Sequence, residues 1–347
     1  MRLERRTKTP LHLIFLAPLA AVAAALFLAA GLIAAAGVNP LSAYGELLRG
    51  ALGSRLAITE MLTRATPLIF TGLAAAVAFR AKLWNIGGEG QFYMGALVTG
   101  WIGHSLAAPG WLGVPFLLVL SMVTGAALLA GPAILRLRFG VDEVVTTLLL
   151  NFIVLLFVGL MIEGPLRDPL AFGWPSSVPV NDAFRLPDLI PRTRLHIGFV
   201  FAIVAAAAVW LIVSRTVFGA EVRAAGLNAK AAAFAGISLP KTIMGVALLS
   251  GGLAGLAGAV EVMGVTAAVT TTMSPGFGYA GIVVAMLAAL HPAGVVGAAL
   301  FVATVFVGAD AMGRSTGVPS FIADVIVALC LLTTVVALLF TTYRVRR

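Results

Sequence analysis

"FRAKLWNIGGEGQFYMGAL", Phe79–Leu97, sets Asn85, Glu89 and Gln91 among glycines between two apolar runs. Gly87, Gly88 and Gly90 release the backbone from helical geometry. Inside a bilayer, the amides and carbonyls freed in this way must meet protein or a water-filled cavity. A carboxylate at bilayer depth costs about 2.5–3.5 kcal/mol on insertion scales. Glu89 therefore belongs at an interface or toward the interior of a helix bundle. Two readings stay open: a polar turn with a helix-capping Glu, or a hinge that also lines a path.

The surrounding chain makes the bilayer the relevant solvent. Of its 347 residues, 61% are hydrophobic and only 11% are charged, and the mean hydropathy is +1.06. A soluble domain carries about 25% charged residues. The composition describes an all-α polytopic membrane protein. The net charge of +9 is spread over short loops, which argues for membrane topology and against nucleic acid. One cysteine, Cys330, in an apolar run, and four scattered histidines give neither a disulfide framework nor a metal site. The P-loop, HExxH and nucleophile-elbow motifs are absent, so no catalytic residue is assigned.

Apolar runs of about 17–25 residues mark spans. They fall near 11–36, 59–79, 90–108, 112–135, 143–163, 196–214, 242–264, 276–291, 294–312 and 320–342, about ten transmembrane helices. The first run follows "MRLERRTKTP" and is longer than a signal h-region, so it is read as a retained span. With the N-terminus in the cytoplasm, the inner segments hold Arg2, Arg5, Arg6, Lys8, Arg80, Lys82, Arg136, Arg138, Arg215, Arg223, Lys230, Lys241, Arg344, Arg346 and Arg347. The outer segments hold Arg49, Arg55, Arg64, Arg167, Arg185, Arg192, Arg194 and Arg314. The bias favours both termini inside.

The expected organisation is one transmembrane domain, 1–347. It comprises a tail and first span (1–36), a first helical half (59–163), an inner loop (215–241) and a second half (242–342). Two four-helix units joined by a single span would be inverted relative to each other around a central pathway. Under that scheme "NIGGEGQFYMGAL" corresponds to "SPGFGYAGIVVAML". Residues 164–195 form a long outer loop and 265–275 a Thr-rich one. The inner loop reads as helical around "NAKAAAFA", starting at Gly226 and Asn228 and ending at Gly236 and Pro240. It is either an amphipathic helix on the headgroups or a short helix that docks a cytoplasmic protein.

Three patterns name further residues. Glu143, Thr146, Thr147 and Asn151 fall on one helix face about 140° wide, a polar stripe for interhelical bonding or an aqueous path. Gly251 and Gly255, extended by Gly258, give a small-residue stripe for close helix packing. Glu261 follows near the outer end of that helix as a candidate path residue, and Asp324 starts a later one. The remaining classes are an ion-gradient-driven secondary transporter, a structural membrane subunit, and a transporter driven by a partner. A large inner docking loop with no nucleotide motif of its own favours the last.

"NIGGEGQ" (85–91), "DEVVTTLLLNF" (142–152), "GLNAKAAAFAGIS" (226–238) and "GFGYAGIVVAMLAALHPAGVVGAALF" (276–301) occur in this order. Together they resemble the ABC importer permeases for simple sugars and nucleosides, over roughly 60–342. The nucleoside-uptake branch, paired with lipoproteins of the basic membrane protein type, is the nearest in pattern. The resemblance implies a multi-pass subunit of the cell inner membrane. Its partners would be ABC ATP-binding subunits, a second homologous permease and an extracytoplasmic substrate-binding protein. ATP and Mg would be held by the partner ATPase, with no cofactor in this chain. It also implies coupling to the ATPase through Gly226, Asn228, Ala232, Gly236 and Ile237. Asn85, Glu89, Gln91 and Asn151 are expected to line the pathway.

Overall fold

The computed structural model describes residues 2–5, 11–319 and 321–346. Arg6, Lys8 and Arg347, which enter the charge bias, lie outside them. A short strand β1 (Arg2–Arg5) pairs antiparallel with β2 (Tyr343–Arg346), which brings both ends of the chain to one face. Among the described residues, everything between is helical or loop. The helices are α1 (Leu11–Ala35), α2 (Pro40–Leu52), α3 (Arg55–Arg80), α4 (Gly88–Ser105), α5 (Gly110–Phe139), α6 (Glu143–Glu163), α7 (Gly198–Arg215), α8 (Val217–Leu227), α9 (Ala229–Phe234), α10 (Leu239–Glu261), α11 (Phe277–Leu287), α12 (Pro292–Thr316) and α13 (Ile322–Thr342).

Among the described residues, six helices are long and apolar enough to cross a bilayer: α3, α5, α6, α7, α10 with its continuation to Thr266, and α12. Leu19–Ala35 and α2, bent by 113°, give a seventh when taken as one broken span. This corrects the expected ten. At about 1.5 Å per residue α11 is about 16 Å long, half the apolar thickness of a bilayer. Most of α4 is buried inside the protein, so it tolerates glycine, Glu89 and Gln91 where a lipid-facing helix would not. Sequence reading also missed α2, although Asn39 caps it and Pro40 opens it, the standard N-terminal pair.

The packing repeats itself. α10 packs on α4 and α5 as α3 packs on α11 and α12; α4 touches α6 as α11 touches α13. The chain enters α4 from the face that carries α8 and α9, where Gly226 lies on the Arg80 carbonyl. It enters α11 from the opposite face, through residues 267–276. The two halves are thus inverted, with α7 between them.

Residues 164–197 form a cap on that opposite face. Val180 and Ser177 donate backbone N–H groups to the carbonyls of Ala267 and Val269, and Leu186 donates to Met263. The Thr-rich segment is therefore no free loop: Val269 and Met273 are buried, and Tyr93 on α4 donates its hydroxyl to Thr271 O at 2.8 Å. A π-turn, Val262–Thr266, and Ala267 at φ 62° steer α10 into it.

Small residues set the interhelical distances. Gly95 faces the backbone of Gly255, Gly125 faces that of Gly251, and Gly258 faces the carbonyl of Phe92. α4, α5 and α10 meet backbone to backbone, a contact that side chains would prevent. We predict that Gly258→Val lowers stability by about 1–3 kcal/mol through overpacking, read as a drop in melting temperature of the detergent-purified protein.

His196, at the end of the cap, is buried between Gly198 and Gly264. Its Nδ1 accepts from Gly198 N, and its Nε2 has no partner among the described residues. Burial first, then the charges of Arg185 and Arg194, push its pKa from 6.5 down to about 4. The unfolded chain therefore binds the extra proton between those values. The stability contributed by the neutral ring is full above pH 6.5 and is lost as pH falls toward 4. Melting curves between pH 7 and pH 4.5 should show this loss, and His196→Gln should reduce it.

Candidate functional site

Between Arg80 and Gly88 the chain leaves helical geometry for seven residues, and Lys82 takes φ 54°. Each backbone group exposed by that break needs a partner, because a group unsatisfied in this environment costs several kcal/mol. α6 supplies most of them. Trp84 N donates to Glu143 Oε1 at 3.1 Å, and Ile86 N to Thr147 Oγ1 at 3.2 Å. Gly90 N donates to Asn151 Oδ1 at 2.8 Å, while Asn151 Nδ2 donates to Ile86 O at 2.9 Å. Arg136 donates to Lys82 O at 2.8 Å and pairs with Glu143 at 2.5 Å. The polar stripe on α6 is thus a ladder of partners at one-turn spacing. The opposite face of the same helix exposes Phe152, Leu156 and Leu160, as lipid contact requires.

Asn85 and Gln91 close the break from within. Their amides exchange two bonds of 2.9 Å each, Asn85 Nδ2 to Gln91 Oε1 and Gln91 Nε2 to Asn85 Oδ1. Asn85 Oδ1 also accepts from Gly87 N. Its Nδ2 reaches Ser250 Oγ on α10 at 3.0 Å, and Ser250 in turn donates to Ala74 O on α3.

Glu89 is 8% exposed and belongs to two helix starts at once. It lies in the first turn of α4, and its Oε2 accepts from Gly278 N, in the first turn of α11, at 2.6 Å. Gly278 is glycine by necessity, since a Cβ there would meet the Glu89 backbone. Ser274 Oγ accepts from Gly276 N and Phe277 N, and Thr71 on α3 donates to Phe277 O at 2.9 Å. A carboxylate between two helix N-termini answers the positive ends of both dipoles. Asn151 Nδ2 meets Tyr279 Oη at 3.1 Å, which ties α6 to α11 as well.

Asn85, Glu89, Gln91 and Asn151 are therefore gathered into one hydrogen-bonded knot that joins α3, α4, α6, α10 and α11. Its groups bond to one another and to backbone. Ser250, Thr71 and Tyr279 belong to it; Ser250 and Thr71 gave no sequence signal, being single polar residues in apolar runs, and Tyr279 lies within the 276–301 stretch without having been singled out. Among the described residues no group of three His, Cys, Asp or Glu could hold a metal ion.

The second set of residues lies on the α8 and α9 face. Asn228 caps α9, accepting from Ala231 N at 3.1 Å, and Gly236 ends it at φ +87°. Pro240 lies in the first turn of α10 and opens that helix, contrary to its expected place at the end of the preceding one. Gly226 and Ala232 turn inward: Gly226 lies against the Arg80 carbonyl, Ala232 is buried, and Ala232 O accepts from Ile237 N. The surface offered to solvent includes Asn228 and Gly236 together with Leu227, 80% exposed, and Phe234, 97% exposed, with Lys230 between them. Sequence reading missed both apolar residues; an isolated Phe in an Ala-rich helix was the available sign.

The family described as "Branched-chain amino acid transport system / permease component" matches residues 57–340. The glucose ABC transporter permease protein TsgB13 of Haloferax volcanii is 33% identical over 355 aligned positions, covering 99% of this chain and 93% of the relative. The guanosine ABC transporter permease protein NupP of Bacillus subtilis is 35% identical over 321, covering 91% and 92%. The nucleoside ABC transporter permease protein NupB of Lactococcus lactis is 34% identical over 322, covering 90% and 88%.

Glu89→Ala removes the acceptor for Gly278 N and should cost about 1–3 kcal/mol of stability. Glu89→Gln keeps an acceptor and should recover most of that loss. Thermal melts of the two variants against the parent check the order.

Proposed function

The chain belongs to the family of branched-chain amino acid transport system permease components, and from that premise we propose that it is the membrane subunit of an ABC importer for nucleosides. The exposed Leu227–Phe234 surface carries this reading. Two large exposed apolar side chains, Leu227 at the end of α8 and Phe234 at the end of α9, in a chain without a P-loop, suit the groove of a separate ATPase. Relatives named for guanosine, nucleosides and glucose support a nucleoside or sugar-like cargo.

The subunit works with ABC ATP-binding partners that hold ATP and Mg, a second homologous permease, and an extracytoplasmic binding protein that supplies selectivity. It spans the cell inner membrane with both ends cytoplasmic. The pairing of Arg2–Arg5 with Tyr343–Arg346 supports a shared side for the ends. ATP-driven closure of the partner ATPases pushes α9. The push passes through Gly226, packed on Arg80, to the end of α3 and the break that follows it. Asn85, Glu89, Gln91 and Asn151 form the hinge there and border the path between inward- and outward-facing arrangements.

Phe234→Asp should reduce co-purification of the ATPase subunit about tenfold or more while the permease still inserts and melts normally. Gly236→Val, which forces a β-branched residue to φ +87°, should uncouple ATP hydrolysis from uptake. Proteoliposomes containing the complete complex should take up nucleoside only with ATP. Uptake that ignores ATP and follows a proton gradient would overturn the importer reading.

A further inference from the structure

On the face covered by the 164–197 cap, a cavity of 320 Å³ opens between α3, the end of α10 and the segment 265–277. That is within the size range of small-molecule sites. Its walls carry Glu60 and Arg64 from α3, Arg194 from the cap, Glu261 from α10, and Thr272. Most charges there are engaged. Arg64 pairs with Asp310 at 2.9 Å, and Glu60 lies 3.4 Å from Arg194 and 3.6 Å from Arg64.

Glu261 is different. It is 7% exposed, lines the cavity, and has neither a hydrogen bond nor an ion pair among the described residues. Thr266 beside it also presents a buried Oγ1 with no partner. The Glu261 carboxyl oxygens are therefore free to bond an occupant of the cavity. The floor is apolar, made by Met273, Pro275 and Phe277. Phe277 starts α11, one residue before the Gly278 amide that Glu89 holds.

We infer that this cavity is the outer substrate station of the path, taking a neutral nucleoside with its ribose diol on Glu261 and its base against the floor. Arg64 and Arg194 are already paired with Asp310 and Glu60, so the cavity calls for no net charge on its occupant. The two oxygens of the Glu261 carboxyl match two vicinal hydroxyls, and an apolar floor beside them matches a flat ring. A solute seated here touches the helix start that the hinge controls, which places binding and re-orientation in contact. The inference rests on the nucleoside-importer reading and names where in this chain the cargo is held.

The test uses the complete complex in detergent, without ATP, and a Thr272→Cys permease labelled by maleimide. Thr272 is exposed at the cavity, and the native Cys330 is buried. Guanosine and uridine at millimolar concentration should slow labelling, and their 2′,3′-dideoxy analogues should protect about tenfold less well. Adding Glu261→Gln should abolish the protection while the melting temperature holds, because the amide fills the same space and no hydrogen bond or ion pair is lost. Labelling unaffected by either nucleoside, equal protection by the dideoxy analogues, or a lowered melting temperature for Glu261→Gln would each overturn the site. ATP-dependent uptake by the parent complex is measured separately. Its absence refutes the importer reading, whereas the labelling result decides the cavity.

Discussion

Lipid offers no hydrogen bonds, and the rest of this structure follows from how the chain meets that constraint at one interruption. The backbone between α3 and α4 comes out of helical geometry inside the bundle, and every amide and carbonyl released there must be answered by protein. α6 answers with Glu143, Thr147 and Asn151, and α10 adds Ser250 to the bonds that Asn85 and Gln91 exchange. Glu89 carries the obligation across to α11 through Gly278. Five helices are fixed relative to one another because one short segment cannot be left unsatisfied.

The glycine contacts make that arrangement possible. The knot requires helices close enough for side chains two or three bonds long to reach backbone, and Gly95, Gly125, Gly251, Gly255 and Gly258 bring α4, α5 and α10 to that distance. Between helices in a bilayer there is no hydrophobic drive comparable to that in water, so close packing and polar bonds share the work. The inverted pairing of the two halves then puts two helix N-termini nose to nose. One carboxylate serves both, which is why a single glutamate is tolerated at this depth.

A mechanical arrangement emerges from this geometry. The α8–α9 surface lies on one face, against the carbonyl of Arg80 at the end of α3. The polar cavity lies on the other, floored by the start of α11. The knot sits between them. Its bonds are many and individually modest, and each helix it joins is otherwise held by apolar packing.

The sequence by itself determined the solvent, the helical class, the polar face of α6, the small-residue stripe of α10, and the cap and stop of α9. Each of these is a local matter of composition, period or capping, and Asn228 and Gly236 show how completely a short helix can be specified by its ends. Only the tertiary structure decided what those features are for. Among the described residues fewer than ten helices are long and apolar enough to cross, in part because α11 is half length and α4 carries glycines, Glu89 and Gln91 where apolar residues would be needed. Burial does not decide it, since α3 is long and apolar enough while buried inside the protein. The Thr-rich segment turned inward because its backbone finds partners in the cap, 90 residues away in sequence. Ser250, Thr71, Tyr279, Glu60 and Arg194 carry no pattern of their own. Their roles come from distances between helices, and those distances are set by packing that no single stretch of sequence encodes.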